Sequence, residues 1–394
     1  GPAARGQAQN GWRKIGALRD AKGDEPVRVR VDRAESRMLE LTYAMPGAKS
    51  AKSGRRINGK DPELILLGNA PRTGRAGQPV LPVVPARILL PEGYTVDSIQ
   101  VASRGKTRLP GTHVVEYGEK PFPLLPGVRP EKARPDPAVY NSSNPYPGRL
   151  YDVIGIQKQR GSAVLLLALH PVEYVPATGE LSSYGELTVR VTLKRDASGG
   201  AVRHRADARR PVAATVDNPD TAATYSESRE EESNPAKLAF VDPADTYSYV
   251  IVTSEEMKDA TGPYSLTNLL AHKQSRGLTA TIVTTTNIYL NYTGAVNAEK
   301  VRNFIIDAYN NWETDYVLLA GDIGVVPMRK LRCQAYPGGD IDDLPSDLYY
   351  QCLDGPYNND GDSYWGEPTD GTGGGDVDLV AEVYIGRASA QDTN

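Results

Sequence analysis

Apolar and polar residues alternate from Val27 onward, first as Val27, Val29 and Val31, then around Met38, Leu39 and Leu41. Alternation between clusters of turn-forming residues predicts strands with one buried face. The same pattern predicts strands at Leu64–Leu67, Arg87–Pro91, Val96–Val101, Thr112–Tyr117, Val153–Ile156, Val164–Leu169 and Leu187–Leu193. The proline-rich run Pro79–Pro85 leads into the Arg87 strand and marks it as an edge, because proline cannot donate to a ladder. Thr178-Gly179 predicts a tight turn, and Pro121–Pro147 a proline-rich connector. This half reads as a β-sandwich of about eight to ten short strands.

After Asp245 the period changes. Tyr247–Thr253 predicts a buried strand, and Leu266, Leu269, Leu270 and Lys273 one stripe of a helix that stops at Gly277. Thr279–Thr284 is a β-branched strand. Asn297 is placed to N-cap a helix whose apolar face is Val301, Phe304, Ile305, Ala308, Tyr309 and Trp312. Tyr316–Ala320 and Val380–Ile385 predict two more strands. Apolar strands alternating with helices predict a parallel sheet. Ligands of such sheets gather at the carboxyl ends of the strands, here Thr253-Ser254, Thr284-Thr285, Gly321-Asp322 and Gly386-Arg387.

The stretches between these blocks set the domain limits. Residues 1–25 are polar and Gly/Ala-rich, a flexible lead-in. Residues 26–195 form the β domain and residues 241–394 the α/β domain. Residues 196–240 lack apolar periodicity and hold a basic run, Arg203–Arg210, and an acidic run, Glu227–Glu232, which predicts an exposed linker. A net charge of −4 argues against a nucleic-acid partner. The chain has no apolar run of about 18 residues, so no membrane span is expected. Two cysteines, Cys333 and Cys352, are too few for a disulfide scaffold, and whether they pair is open. Few cysteines, 22 tyrosines and 30 prolines fit an exported, secreted or cell-surface protein whose signal peptide has been removed.

The densest polar stretch runs from Asp354 to Glu367. Asn358, Asp360 and Asp362 alternate with glycine or another residue, followed by the Tyr364 carbonyl and Glu367. Calcium takes about six to eight hard oxygens from a bendable loop, and this spacing supplies them. The loop is not an EF-hand, because the twelfth position lacks its glutamate and Glu367 comes two residues early. Acids this close repel one another without a cation. By contrast, the chain shows no nucleophile-and-base pattern. His113 and His170 fall in β segments, His204 in the linker and His272 in a helix, and neither G-x-S-x-G nor a phosphate loop is present.

Tyr316-Val-Leu-Leu-Ala-Gly-Asp322 with Pro327, Ser346-Asp347 with Tyr350, and Glu382-Val-Tyr-Ile-Gly-Arg-Ala-Ser389 together resemble the gingipain family of cysteine peptidases. Tyr249–Thr253 and Lys273–Gly277 add to the likeness, which covers residues 245–394. The β half, with Leu90-Pro91-Glu-Gly93 and Pro171–Leu181, looks like that family's propeptide. The resemblance implies a multidomain chain: an all-β sandwich-like prodomain, then the first subdomain of a caspase-like α/β domain, with a three-layer and mostly parallel sheet. It implies that the Cys–His dyad lies after Asn394, on a C-terminal catalytic subdomain, and that the substrates are proteins or peptides; cleavage after Asn394 is preferred to truncation as the origin of this end. It also implies that the prodomain covers the cleft as an inhibitor and that Arg209-Arg210 marks the activation region. Its calcium ligands would be the Asp322 carboxylate, a carbonyl near Asp354, Asp378, the Val380 carbonyl and Glu382. The extra acids Asp360, Asp362 and Glu367 then imply a second ion or a rearranged one, pinning two strand ends rather than doing chemistry. A non-enzymatic, calcium-dependent adhesion or scaffold protein stays open as the alternative.

Overall fold

The computed structural model describes residues 11–15, 26–35, 37–53, 61–120, 132–196, 209–225, 240–334, 341–355, 357–358, 360–367, 377 and 379–392. The N-terminal half is built of strands β1 (Arg13–Lys14), β2 (Arg28–Glu35), β3 (Met38–Ala44), β4 (Lys49–Lys52), β5 (Glu63–Leu66), β6 (Arg72–Thr73), β7 (Leu81–Pro82), β8 (Val84–Leu89), β9 (Tyr94–Arg108), β10 (Tyr151–Gln159), β11 (Ser162–Leu169), β12 (Val172–Val175) and β13 (Glu180–Arg195). One six-stranded sheet is organised on β13, which pairs with β9 along one side and with β3 and β12 along the other. A second sheet has the order β10-β11-β8. The inward residues of both, Leu39, Leu41, Leu187 and Val189 from the first and Val84, Ala86, Ile88 and Leu167 from the second, share one buried cluster. The arrangement is sandwich-like, as the alternation predicts.

Two expectations about this half need correction. The strands are more numerous than eight to ten among the described residues, and two are long: β9 has 15 residues and β13 has 16. Thr112–Tyr117 is not a strand. Val115 and Tyr117 make only isolated bridges, to Glu63 and Pro79. The proline-marked strand is indeed an edge, with β8 pairing only β11 in its sheet.

That edge explains a third correction. Residues 196–240 are not one open linker, because 209–225 fold onto the β domain as a short helix, α2 (Arg209–Ala213), and a 3-10 turn, Pro219–Thr224. Val212, Val216, Ala222 and Tyr225 are buried against Leu89 and Val164. The Asn218 amide accepts from the Leu89 N–H and donates to the Leu89 carbonyl, both at 2.8 Å, as a neighbouring strand would. Asp217 accepts from the Arg87 N–H at 2.8 Å and the Tyr43 hydroxyl at 2.9 Å. Polar side chains thus pair the edge strand that would otherwise stand open.

Burial pushes the Asp217 carboxyl up to about 6, against the two hydrogen bonds that favour its charged form. A raised acid favours the folded state most below its unfolded value near 4, and that contribution is lost as pH rises through about 6. Asp217→Asn should therefore gain up to about 3 kcal/mol relative to the parent between pH 4 and pH 7. Urea midpoints at the two pH values check this. An unchanged difference between parent and variant would count against a buried, titrating Asp217.

The second half carries a four-stranded parallel sheet, order β15-β14-β16-β19. Its elements are β14 (Tyr249–Thr253), α3 (Glu255–Asp259), α4 (Leu266–Ser275), β15 (Ala280–Thr284), α5 (Thr285–Asn291), α6 (Asn297–Trp312), β16 (Tyr316–Ala320), the hairpin β17 (Arg329–Gln334) and β18 (Ile341–Ser346), α7 (Leu348–Gln351) and β19 (Tyr384–Ala388). All six residues of the predicted α6 face are buried, against Val250, Val252, Val317 and Leu319. Asn297 is not the cap, however. Val296 takes that position without a side-chain bond, and Glu299 Oε2 accepts the Ala295 N–H at 2.7 Å. The α4 stripe is only half-buried, with Lys273 Nζ 4.8 Å over the Tyr249 ring. The last strand begins at Tyr384 rather than Val380. Among the described residues no helix is long and apolar enough to cross a membrane.

Candidate functional site

Arg387, near the end of β19, reaches the turn that follows the neighbouring strand β16. Its Nη1 donates to the carbonyls of Gly321 at 2.9 Å, Asp322 at 3.2 Å and Val326 at 2.8 Å. Its Nε and Nη2 grip both oxygens of Asp347 at 2.8 and 2.7 Å. A planar guanidinium suits this fork geometry. Gly321 has φ +140°, and a Cβ there would lie 2.4 Å from Val325, so the turn after β16 requires glycine. A second arginine, the buried Arg302 of α6, donates to the carbonyls of Tyr349 and Cys352 at 2.9 Å and of Gly355 at 3.0 Å. It fixes the backbone from which the acidic stretch departs. Sequence reading placed Arg387 only at a strand end and did not single out Arg302, because their partners lie far along the chain.

Of the ten candidate metal-ligating residues, the structure gathers three. Asp360, Asp362 and Glu367 each offer a carboxylate oxygen within 4.8 Å of the others. Gly361 and Gly366, both at φ +73°, allow the chain to double back here. The Asp362 N–H donates to Asp360 at 3.3 Å, the Tyr364 N–H to Asp362 at 2.7 Å, and the Asn358 amide to the Asp362 carbonyl at 2.9 Å. Asn358 Oδ1 is buried without a hydrogen-bond partner. Arg332 lies 3.5 Å over the Tyr364 ring, and its Nε is 3.9 Å from Glu367.

The other candidates lie elsewhere. Asp322 caps its own turn, accepting the Gly324 N–H at 2.8 Å. Asp354 is fully buried, and Val380 is half-buried ahead of β19. Glu382 is buried, with one oxygen accepting the Arg160 N–H at 3.1 Å and the other the Leu353 N–H at 2.8 Å. Asp378 lies outside the described residues. Among the described residues these acids form no group of their own.

The gathered carboxylates fit a calcium ion. Calcium–oxygen bonds of about 2.4 Å place ligand oxygens within roughly 5 Å of one another, and all three donors are hard. An ion there would neutralise the self-repulsion of the loop.

The histidines make ordinary partners. His113 meets Glu63 at 2.7 Å and His170 meets Asp152 at 2.9 Å, both in the β half, and His272 is exposed on α4. His204 lies outside the described residues. Cys352 is buried and Cys333 is half-buried. The fold is therefore a sheet-rich, multidomain one in which a β domain carries a parallel α/β domain.

Residues 242–394 match the model of peptidase family C25. The matched span includes the whole parallel sheet. No curated protein matches the chain. Among solved structures the chain is similar to a complex of Porphyromonas gingivalis RgpB pro- and mature domains, with 16% identity over 43% of this chain and 84% of that one, at a TM-score of 0.35. It is also similar to a structure bearing on the zymogenic latency of gingipain K from Porphyromonas gingivalis, with 18% identity over 47% of this chain and 100% of that one, at a TM-score of 0.36.

Proposed function

We propose that the chain is the propeptide and N-terminal part of a secreted, calcium-stabilised cysteine endopeptidase. The observation that carries this reading is the family C25 match over residues 242–394. The β half would act as inhibitor and folding aid, and the α/β half as the first, non-catalytic subdomain of a caspase-like domain. The Cys–His dyad would lie on a following catalytic subdomain. There a thiolate would attack the peptide carbonyl with histidine assistance, and backbone N–H groups would hold the oxyanion. The described cysteines and histidines support a dyad placed outside this span. An open sheet face supports the partner subdomain. Tyr316 and Tyr384 stack at 5.3 Å and stay 42% and 60% exposed, and a Cβ built on Gly386 meets nothing within 4 Å.

The test is the reading frame beyond Asn394. A strand followed by His-Gly and a later strand ending in Cys, with peptidase activity lost on thiol alkylation, is the expected result. A downstream sequence without that pair, or activity indifferent to alkylation, would overturn the proposal in favour of a non-enzymatic scaffold.

Calcium at Asp360, Asp362 and Glu367 would be structural, since it would tie the loop to itself. Saturating calcium is expected to raise the thermal midpoint of the α/β half by roughly 5–10 °C over an EDTA control. The double variant Asp360→Asn/Asp362→Asn should lose that shift. An equal midpoint with and without EDTA would remove the ion from this loop.

A further inference from the structure

The two halves meet where the hairpin of β10 and β11 reaches the backbone just before β19. The hairpin turn is Arg160-Gly161, with φ +50° and +76°. Two positive φ values match the tight two-residue turn that follows the strand twist, so the tip is short and stiff. Gln157, two residues before β10 ends, is only 9% exposed. Its Nε2 donates to the Val377 carbonyl at 3.1 Å, and its Oε1 accepts the Leu379 N–H at 2.8 Å. The side-chain amide thus does for residues 377 and 379 what a neighbouring strand's peptide group would do. At the tip itself, the Arg160 N–H donates to Glu382, which is 1% exposed. The other Glu382 oxygen accepts the Leu353 N–H at 2.8 Å, within the α/β half. One buried carboxylate therefore takes a backbone N–H from each half.

We infer that this hairpin tip is the docking element that keeps the β half seated on the α/β half, and that it holds the two together after the chain between them is cut. Three features carry the inference. Both anchoring side chains are buried, so their hydrogen bonds form away from competing water while the halves stay together. The contact reads backbone and a carboxylate, as the comparatively polar interfaces between domains of one chain do. The segment 209–225 stays with the β half through Asp217 and Asn218, so a cut after Tyr225 leaves the hairpin intact on a complete domain. The inference does not require the peptidase reading, because it concerns association alone.

The experiment places a specific protease site between Tyr225 and Phe240 of the full chain. The cut protein is then passed over a sizing column, and the affinity of the halves is measured by dilution. The parent halves are expected to co-elute. Gln157→Ala, or Gln157→Glu, which keeps the size but sets a carboxylate against the Val377 carbonyl, should weaken association by about tenfold or more. In the uncut protein, the Leu379 amide should exchange hydrogen at least several-fold faster in either variant, while exchange in β13 stays unchanged. Parent halves that separate on the column, or variants with parental affinity and parental exchange at Leu379, would overturn the inference. Exchange in the uncut chain keeps the test decisive if one cut variant fails to fold.

Discussion

Arg302→Ala is expected to destabilise the α/β half by about 3–5 kcal/mol, which urea unfolding with a probe in that half would read. The size follows from what the side chain does. Its guanidinium is buried at 7% exposure and donates to three carbonyls along residues 349–355. It also lies 5.0 Å from the Tyr349 ring and 5.4 Å from the Tyr357 ring, both buried. Alanine leaves those carbonyls in the interior without the arginine donor and opens a cavity between two aromatic rings. Arg302→Lys should recover only a small part, because an ammonium cannot span three carbonyls set in a fork. A second readout separates this role from bulk packing. Residues 349–355 are the base of the acidic loop, so the EDTA-sensitive part of the thermal midpoint should shrink in Arg302→Ala. Phe304→Ala on the same helix should cost a similar amount and leave the EDTA response in place. If Arg302→Ala costs less than about 1 kcal/mol, the carbonyl contacts are not the anchor proposed for this loop.

The sequence was most readable where burial alone decides structure. The α6 face repeats its apolar residues from Val301 to Trp312, and tertiary packing reinforces the same period. The buried strands β14 and β16 could be recognised as β-branched or leucine-rich runs between turn signals. Much less of β9 was readable, because its second half, Ser103–Arg108, is exposed and polar. That part is a strand because β13 offers it a backbone ladder, which hydropathy does not encode. The same reasoning applies to residues 209–225. They dock through one carboxylate and one amide on the β8 backbone, with only Val212, Val216, Ala222 and Tyr225 as scattered apolar anchors. The predicted strand from Val380 to Ile385 starts late for a comparable reason. Its apolar residues suit a strand, but Gln157 takes the backbone of residue 379 and Glu382 turns toward the hairpin tip. For the candidate site, spacing within the loop brought out Asp360, Asp362 and Glu367, which are local in sequence. Spacing had no access to the contacts of Arg387 or Arg302, whose partners, backbone carbonyls and for Arg387 also the Asp347 carboxylate, lie far along the chain.

Arg387→Ala is expected to cost the α/β half about 2–4 kcal/mol, and Arg387→Lys nearly as much. The guanidinium closes a knot between two neighbouring strand ends, since three of its acceptors belong to the turn that follows β16. The Asp347 carboxylate completes it from the turn before α7, with side-chain exposures of 13% for Arg387 and 23% for Asp347. Burial of this degree makes an unpaired partner costly, so Asp347→Ala should lose about as much as Arg387→Ala. The double variant should lose less than the two single losses added together, by about 1–3 kcal/mol of coupling. The pair also decides what pins the strand ends. Resemblance assigned that role to a calcium ion bound by Asp322 and Glu382, yet Asp322 caps its own turn and Glu382 bonds backbone N–H groups. If the arginine holds the ends, the loss in Arg387→Ala should be the same with calcium as with EDTA, and the loop ion should add independently. If the loss disappears in calcium, a metal at the strand ends substitutes for the guanidinium, and the pinning role returns to the ion.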